Sequence, residues 1–313
     1  MVFLDFEAGD LRIEDNNYYV QNKKKFIKYA QIMDSDKKEC FDFAYDMSYG
    51  KIGEHRDSRS GGLIHRKKGQ IFINTFQGKM AEFGLYRFLI SKNIKVEKPD
   101  TSRYELGQWD SFDIDCQGKH ISVKSTKYYG DLLLLEKKDW NNEGEYKPNI
   151  GKENAKYDYT VLVRFSPDGE KVMRQNRLLF QNDNEIATNI RDILIEKIYN
   201  QKWNYDIPGF IYYSELVKMI RDRRIIPQNA MLNGTTKMDA ENYYFQTGNM
   251  HSIVEVYMPK SIEEQKERKN NRLIRTCPLC GDALVMKKGY SMFWGCAGYF
   301  KKQHCEYKEK IDK

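Results

Sequence analysis

The sequence predicts an α/β fold, and three observations predict it. Residues 110–124 alternate charge and apolarity in the manner of a hairpin, residues 78–93 carry one apolar helical stripe, and residues 157–165 form a buried-strand run. Four cysteines near the C-terminus predict a second, smaller module. At 313 residues the chain is long enough for one large domain and a small appendage.

Taken in order, residues 1–76 are polar, with a helix expected around Phe41–Met47. The run Gly53–Lys68 is basic and glycine-bearing, and as a loop it could track a nucleic-acid backbone. Its Arg56, Arg59, His65, Arg66, Lys67 and Lys68 are the candidate contacts; the alternative is plain solvated surface, and His55 is a weaker candidate for a general base. In the next helix, Ala81, Gly84, Leu85, Phe88 and Leu89 follow the spacing of a core face. Glu82 lies at an edge of that stripe, where it can look towards a neighbouring sheet. A strand over Ile94–Glu97 is expected before Pro99 breaks it.

The hairpin follows. Gly118-Lys119 suits a two-residue turn, which would pair Asp115 with Ser122 and Asp113 with Lys124. Faces alternate along a strand, so Asp113, Asp115, Ser122 and Lys124 share one side, and Phe112, Ile114, Ile121 and Val123 the other. Acids beside a lysine can hold a divalent metal next to a phosphodiester; an amphipathic edge hairpin with a solvated face is the plainer alternative. Asp110, of opposite strand parity, is held in reserve should the register differ.

Leu132–Glu136 reads as a buried strand ending in an acid. Tyr157–Phe165 reads as a central strand, and Glu185–Asn200 as a helix stopped before Pro208-Gly209. Ser214 is a candidate cap for a helix running to Arg224, and Pro227 stops it. Residues 205–258 are either a recognition subdomain or the second layer of the core. Residues 259–274 are a charge-dense linker.

The hairpin and its preceding helix resemble the core of the PD-(D/E)XK nuclease superfamily, the fold of many type II restriction endonucleases. Phe112-Asp113 is similar to the family's metal-binding aspartate position, and Ser122-Val123-Lys124 to its (D/E)-x-K tripeptide with serine in place of the acid. The resemblance runs from about residue 50 to residue 164. It implies a restriction-endonuclease-like mixed sheet flanked by helices over residues 1–258, and a Mg²⁺-dependent endodeoxyribonuclease of a restriction-modification or related defence system. Asp113 and Lys124 would then carry catalysis. Ser122 stays neutral and is a poor metal ligand, so the second carboxylate falls to Glu82, Asp115 or Glu136. Double-stranded DNA is the implied partner, with a homodimer and a cognate methyltransferase as candidate associates. Two rivals stay open: a degenerate nuclease fold that only binds DNA, which Ser122 favours, and an RNA-directed nuclease.

Near the C-terminus, Cys277-Pro-Leu-Cys280 is followed by Cys296 and Cys305, and two thiolate pairs of this kind close a tetrahedron around Zn²⁺. Short strands are expected at Ala283–Met286 and Tyr290–Trp294, and His304 is an alternative last ligand. Residues 275–313 resemble the C4 zinc ribbons of bacterial type I topoisomerases, with Phe300 where proline is usual. The net charge is +7, and from Pro259 onward 13 Lys and Arg stand against 7 Asp and Glu, so the tail carries most of the excess. That excess fits phosphate attraction or simple solubility. Two further cysteines, Cys40 and Cys116, show no pairing pattern, no secretory leader is evident, and no apolar run approaches a membrane span, so a cytoplasmic protein is expected.

Overall fold

The computed structural model describes residues 10–50, 66–101, 113–151, 155–256, 277–280, 284–288, 292–296, 299 and 305–310. The chain divides into two units, Met1–Tyr257 and Met258–Lys313.

In the first unit the elements run β1 (Arg12–Glu14), β2 (Asn17–Tyr19), β3 (Ala30–Gln31), α1 (Asp34–Ser48), α2 (Lys68–Ser91), β4 (Ile114–Cys116), β5 (Lys119–Lys127) and β6 (Leu132–Glu136). They continue with β7 (Tyr159–Ser166), α3 (Gly169–Gln175), α4 (Ile190–Leu194), β8 (Asn204–Tyr212), α5 (Tyr213–Arg221), β9 (Ile225–Ile226), β10 (Met231–Leu232), β11 (Thr236–Lys237) and β12 (Asn242–Gln246). The chain is thus α/β with mixed sheets. The main sheet has the order β3-β8-β7-β5-β4. Its β5 and β7 are parallel, and its other neighbours are antiparallel. The Tyr157–Phe165 run supplies β7, central in that sheet as its continuous apolarity predicts.

Each face of the main sheet has its own core. Ile121, Val123, Val161 and Val163 point one way and pack with Phe72, Phe76, Met80 and Leu85 of α2 and Phe41 of α1. Leu162 and Ile211 leave the other face and pack with Leu133, Leu135, Leu216 and Tyr243. Those residues belong to α5 and to a second sheet, β6-β12-β9. Residues 205–256 are therefore woven into both layers: β8 completes the first sheet, and β12 pairs along the whole of β6.

Several sequence expectations are corrected. The helix expected at residue 78 begins ten residues earlier, at Lys68. Residues 94–97 form no strand, although Ile94 and Val96 still pack on the first core. Pro208-Gly209 does not end a segment but lies inside β8. The register passes from Leu162↔Gly209 to Arg164↔Asp206, so β8 uses three residues against two. A bulge of this kind accommodates a proline, which has no ladder N–H to offer. Gly209 is fixed by contact, because a Cβ there would overlap the His251 carbonyl. The helix expected over Glu185–Asn200 is shorter: α4 leads into a π-helical turn at Ile195–Tyr199. Ser214 lies within α5 rather than capping it; the Glu215 carboxylate accepts the Tyr212 N–H (2.9 Å) at that end.

In the second unit, β13 (Leu284–Lys288), β14 (Met292–Cys296) and β15 (Lys308–Lys310) form an antiparallel sheet in that order. The third strand was not expected from the sequence. No helix among the described residues is long and apolar enough to cross a membrane.

Candidate functional site

The hairpin forms, but its turn differs from the expected one. The central residues are Gln117 and Gly118, at φ 56° and 76°, the left-handed pair of a type I′ turn. The pairing is Asp115↔His120 and Cys116↔Lys119, so every partner moves by two residues. A shift of two preserves parity. Ile114, Cys116, Ile121 and Val123 remain buried on the α2 side, and Asp113, Asp115, Ser122 and Lys124 remain together on the other.

The new register sets Asp113 across from Ser122 instead of Lys124. Asp113 Oδ2 accepts the Val123 backbone N–H at 2.6 Å and the Ser122 hydroxyl at 3.3 Å. β4 starts only at Ile114, so this carboxylate continues the ladder where main-chain pairing has stopped. Ser122 is fully buried. Lys124, half-buried and next to Leu162 of β7, has no ion pair or hydrogen bond among the described residues. Tyr157, in the second core, is buried, and burial first and the Asp113 charge second raise its phenol pKa.

The other acids go elsewhere. Asp115 closes the turn: its Oδ1 accepts the Gly118 N–H (3.0 Å), and its Oδ2 lies 3.5 Å from His120 Nε2. Glu82 is buried and paired with Lys79 at 2.8 Å. Glu82 belongs to α2, which packs on the face of the sheet opposite Leu162 and Lys124, and burial, then the Glu82 charge, push the thiol of Cys40 on α1 well up. Glu136 has the strand parity of Leu132 and Leu134, which pack into a third cluster, and not that of Leu133 and Leu135, which face the main sheet. Its carboxylate lies 2.9 Å from Lys138. The hairpin face therefore carries Asp113 and Asp115 with Lys124, and Asp113, Asp115, Glu82 and Glu136 are not drawn into a common metal-sized cluster.

Among the described residues, one group of three or more such side chains is close enough for a single ion: Cys277, Cys280, Cys296 and Cys305, all within 4.8 Å of one another. Cys277 and Cys305 sulfurs are 3.6 Å apart, and Cys280 and Cys296 3.3 Å. Tetrahedral Zn–S bonds of about 2.3 Å place sulfurs about 3.8 Å apart, so the quartet fits such an ion. Burial opposes ionisation of Cys277, but the backbone N–H groups of Leu279 and Cys280 and the neighbouring thiols outweigh it and bring its pKa to about 7. Thiolate is the form that binds metal. His304, the alternative ligand, lies outside the described residues.

Of the basic run, His55, Arg56, Arg59 and His65 lie outside the described residues, as do Trp109, Asp110 and Phe112. Lys67 and Lys68 sit at the start of α2. Lys67 Nζ donates to Asn182 Oδ1 at 2.9 Å, and Lys68 lies 3.7 Å from Asp183. Arg66, just before them, is partly buried.

Sequence reasoning did not single out Arg164. It is 1% exposed, forks onto both oxygens of Asp206 (2.9 and 2.6 Å), and donates to the carbonyls of Lys24 and Lys25. An arginine inside a nine-residue apolar run was the available signal, because a buried guanidinium requires a partner. Comparison of the chain with protein-family models, with curated proteins and with solved structures finds no match.

Proposed function

We propose that the first unit is a phosphodiester-cleaving nuclease acting on DNA and that the second is a zinc ribbon that assists it. One observation carries the first part: Asp113, Ser122 and Lys124 share one face of one sheet, with the aspartate bound across to the serine and the lysine without an ion pair among the described residues. Lys124 would meet a phosphate oxygen as a fixed cation. Asp113 would be the protein ligand of a magnesium ion, which when bound neutralises phosphate charge and acidifies water. The described residues do not complete a two-carboxylate site. The second part rests on the cysteine quartet, whose soft, convergent donors suit Zn²⁺.

The dispersal of Asp115, Glu82 and Glu136 favours a second reading, a nuclease fold that only binds DNA. Incubation of supercoiled plasmid and phage DNA with Mg²⁺ or Mn²⁺ separates the two. Nicking or linearisation that disappears in Asp113→Ala and in Lys124→Ala supports the enzyme. No cleavage under either ion, with retained DNA binding, selects the accessory. A restriction role, a cognate methyltransferase and a two-fold dimer belong to the enzyme reading, and end-sequencing of the products tests the first of these.

A further inference from the structure

Residues 21–29 form an extended strap across the main sheet, held through its backbone. Gln246 Oε1 accepts the N–H groups of Gln21 and Asn22 (2.7 and 2.8 Å), and Thr247 Oγ1 that of Lys24 (3.1 Å). Asp206 Oδ2 accepts the Ile27 N–H at 3.0 Å. Lys24 Nζ donates to the carbonyls of Pro208 (2.7 Å) and Met250 (2.9 Å).

A backbone pinned so thoroughly would be expected to bury its large side chains. Instead Ile27 is 73% exposed and Tyr29 44%. Beside Ile27 and Tyr29 opens a cavity of about 410 Å³, walled by Phe88, Ile207, Pro208 and Ile253. Lys24, Lys25, Lys28 and Arg164 also line it, with Asp206 as the one acid, a lining charge of +3. Lys25 and Lys28 have no ion pair among the described residues. Phe26, within the strap, meets Tyr128 (ring centroids 6.0 Å), and Tyr128 meets Tyr129 edge-on (5.0 Å). Tyr128 is 41% exposed and Tyr129 54%. These tyrosines directly follow β5, the strand that carries Lys124.

A surface that offers partly exposed tyrosines, an apolar slot and lysines without ion pairs among the described residues matches a ligand with planar apolar groups on an anionic chain. We propose that the strap and the Tyr128–Tyr129 corner bind single-stranded nucleic acid, with one unpaired base in the slot beside Tyr29, another against Tyr129, and phosphates on Lys25 and Lys28. DNA and RNA share that chemistry. A duplex, whose bases are stacked inward, cannot use the slot.

The test uses the full-length chain carrying Asp113→Ala, so that cleavage does not enter. Fluorescence anisotropy compares oligo-dT, oligo-rU and a duplex of equal length. Tighter binding of either single strand than of duplex supports the proposal, and the preferred strand identifies the sugar. Lys25→Glu with Lys28→Glu should weaken single-strand binding about tenfold or more, and Tyr129→Ala about fivefold or more. Photocrosslinking of bromodeoxyuridine oligonucleotides to the unaltered surface should place adducts in residues 23–29 or 128–129. Duplex bound as tightly as single strand, undiminished binding by these variants, or adducts confined to other peptides overturns it. That result would leave the Asp113–Lys124 reading standing, and loss of that reading would leave this one.

Discussion

The cysteine quartet and the hairpin face both present metal-ligating residue types, yet only the first brings them together. Cys277 and Cys280 sit on one local turn, and β14 ends at Cys296, so short-range geometry aims three of the four sulfurs. The acids come from a helix, two strands and a strand end, each with its own packing demands. Packing of α2 took Glu82 to the opposite face of the main sheet, the turn took Asp115, and strand parity turned Glu136 away from the main sheet. Donors set by local spacing survive folding as a group, whereas donors set by long-range packing are rearranged by whatever each element must bury.

The largest effect that could break this contrast is removal of the metal. Cys280→Ser should abolish binding of one Zn²⁺ per chain, read by native mass spectrometry. It should also unfold the second unit, since structural zinc is worth about 10–16 kcal/mol in small modules. Trp294 fluorescence would report the loss. Retention of one ion in that variant would remove the cysteine site.

Next in size is a substitution that would make the hairpin face resemble the quartet. Ser122→Asp puts a second carboxylate directly across from Asp113 in a fully buried position. Without divalent ions it should cost about 3 kcal/mol in urea unfolding, as an uncompensated buried charge does. Added Mn²⁺ or Mg²⁺ should restore much of that loss. Destabilisation indifferent to metal would mean that the face cannot host one.

Asp113 itself separates ligand from strand cap. Asp113→Asn keeps an oxygen for the Val123 N–H, while Asp113→Ala loses it and should cost about 1 kcal/mol more. Under the nuclease reading both variants lose cleavage by about 100-fold or more. Cleavage that follows stability instead, surviving in the asparagine form, would make the carboxylate structural.

The smallest effect is a pH dependence at a site with neither role. Burial opposes ionisation of Asp42, but Lys38 (2.7 Å) and Arg191 (2.5 Å) outweigh it, and its carboxyl is held below the usual range. A depressed folded pKa means that the unfolded chain binds the proton first. The stabilisation is therefore present above roughly pH 4 and fades as pH falls through the folded value. Asp42→Asn should flatten unfolding free energy against pH in that acid window by a few tenths of a kcal/mol, as befits a partly exposed pair.

What the sequence disclosed follows the same divide. Alternation in the hairpin assigned its described side chains to their proper faces even though the turn was misplaced, because the error was two residues and parity has period two. The apolar run of β7 announced a central strand, and Cys-x-x-Cys announced its own geometry. Pro208-Gly209 misled because a bulge, visible only when β7 and β8 are paired, gives proline a place within a strand. Glu82 misled because a helical stripe fixes which residues are buried but not which neighbour buries them. Arg164 and the strap were silent because their partners lie from about 40 to 225 residues away along the chain.

That separation has a consequence for how the molecule is made. The strap's anchors at Gln246, Thr247 and Met250 emerge more than 200 residues after Ile27. At a synthesis rate of roughly 5–20 residues per second, the strap waits on the order of 10–45 s for those anchors, and on the order of 7–35 s for Arg164 and Asp206. Until Arg164 and Asp206 leave the ribosome, a sticky segment hangs from every nascent chain without these partners. Its four lysines keep neighbouring copies apart by charge during that interval, before the sheet is there to receive it.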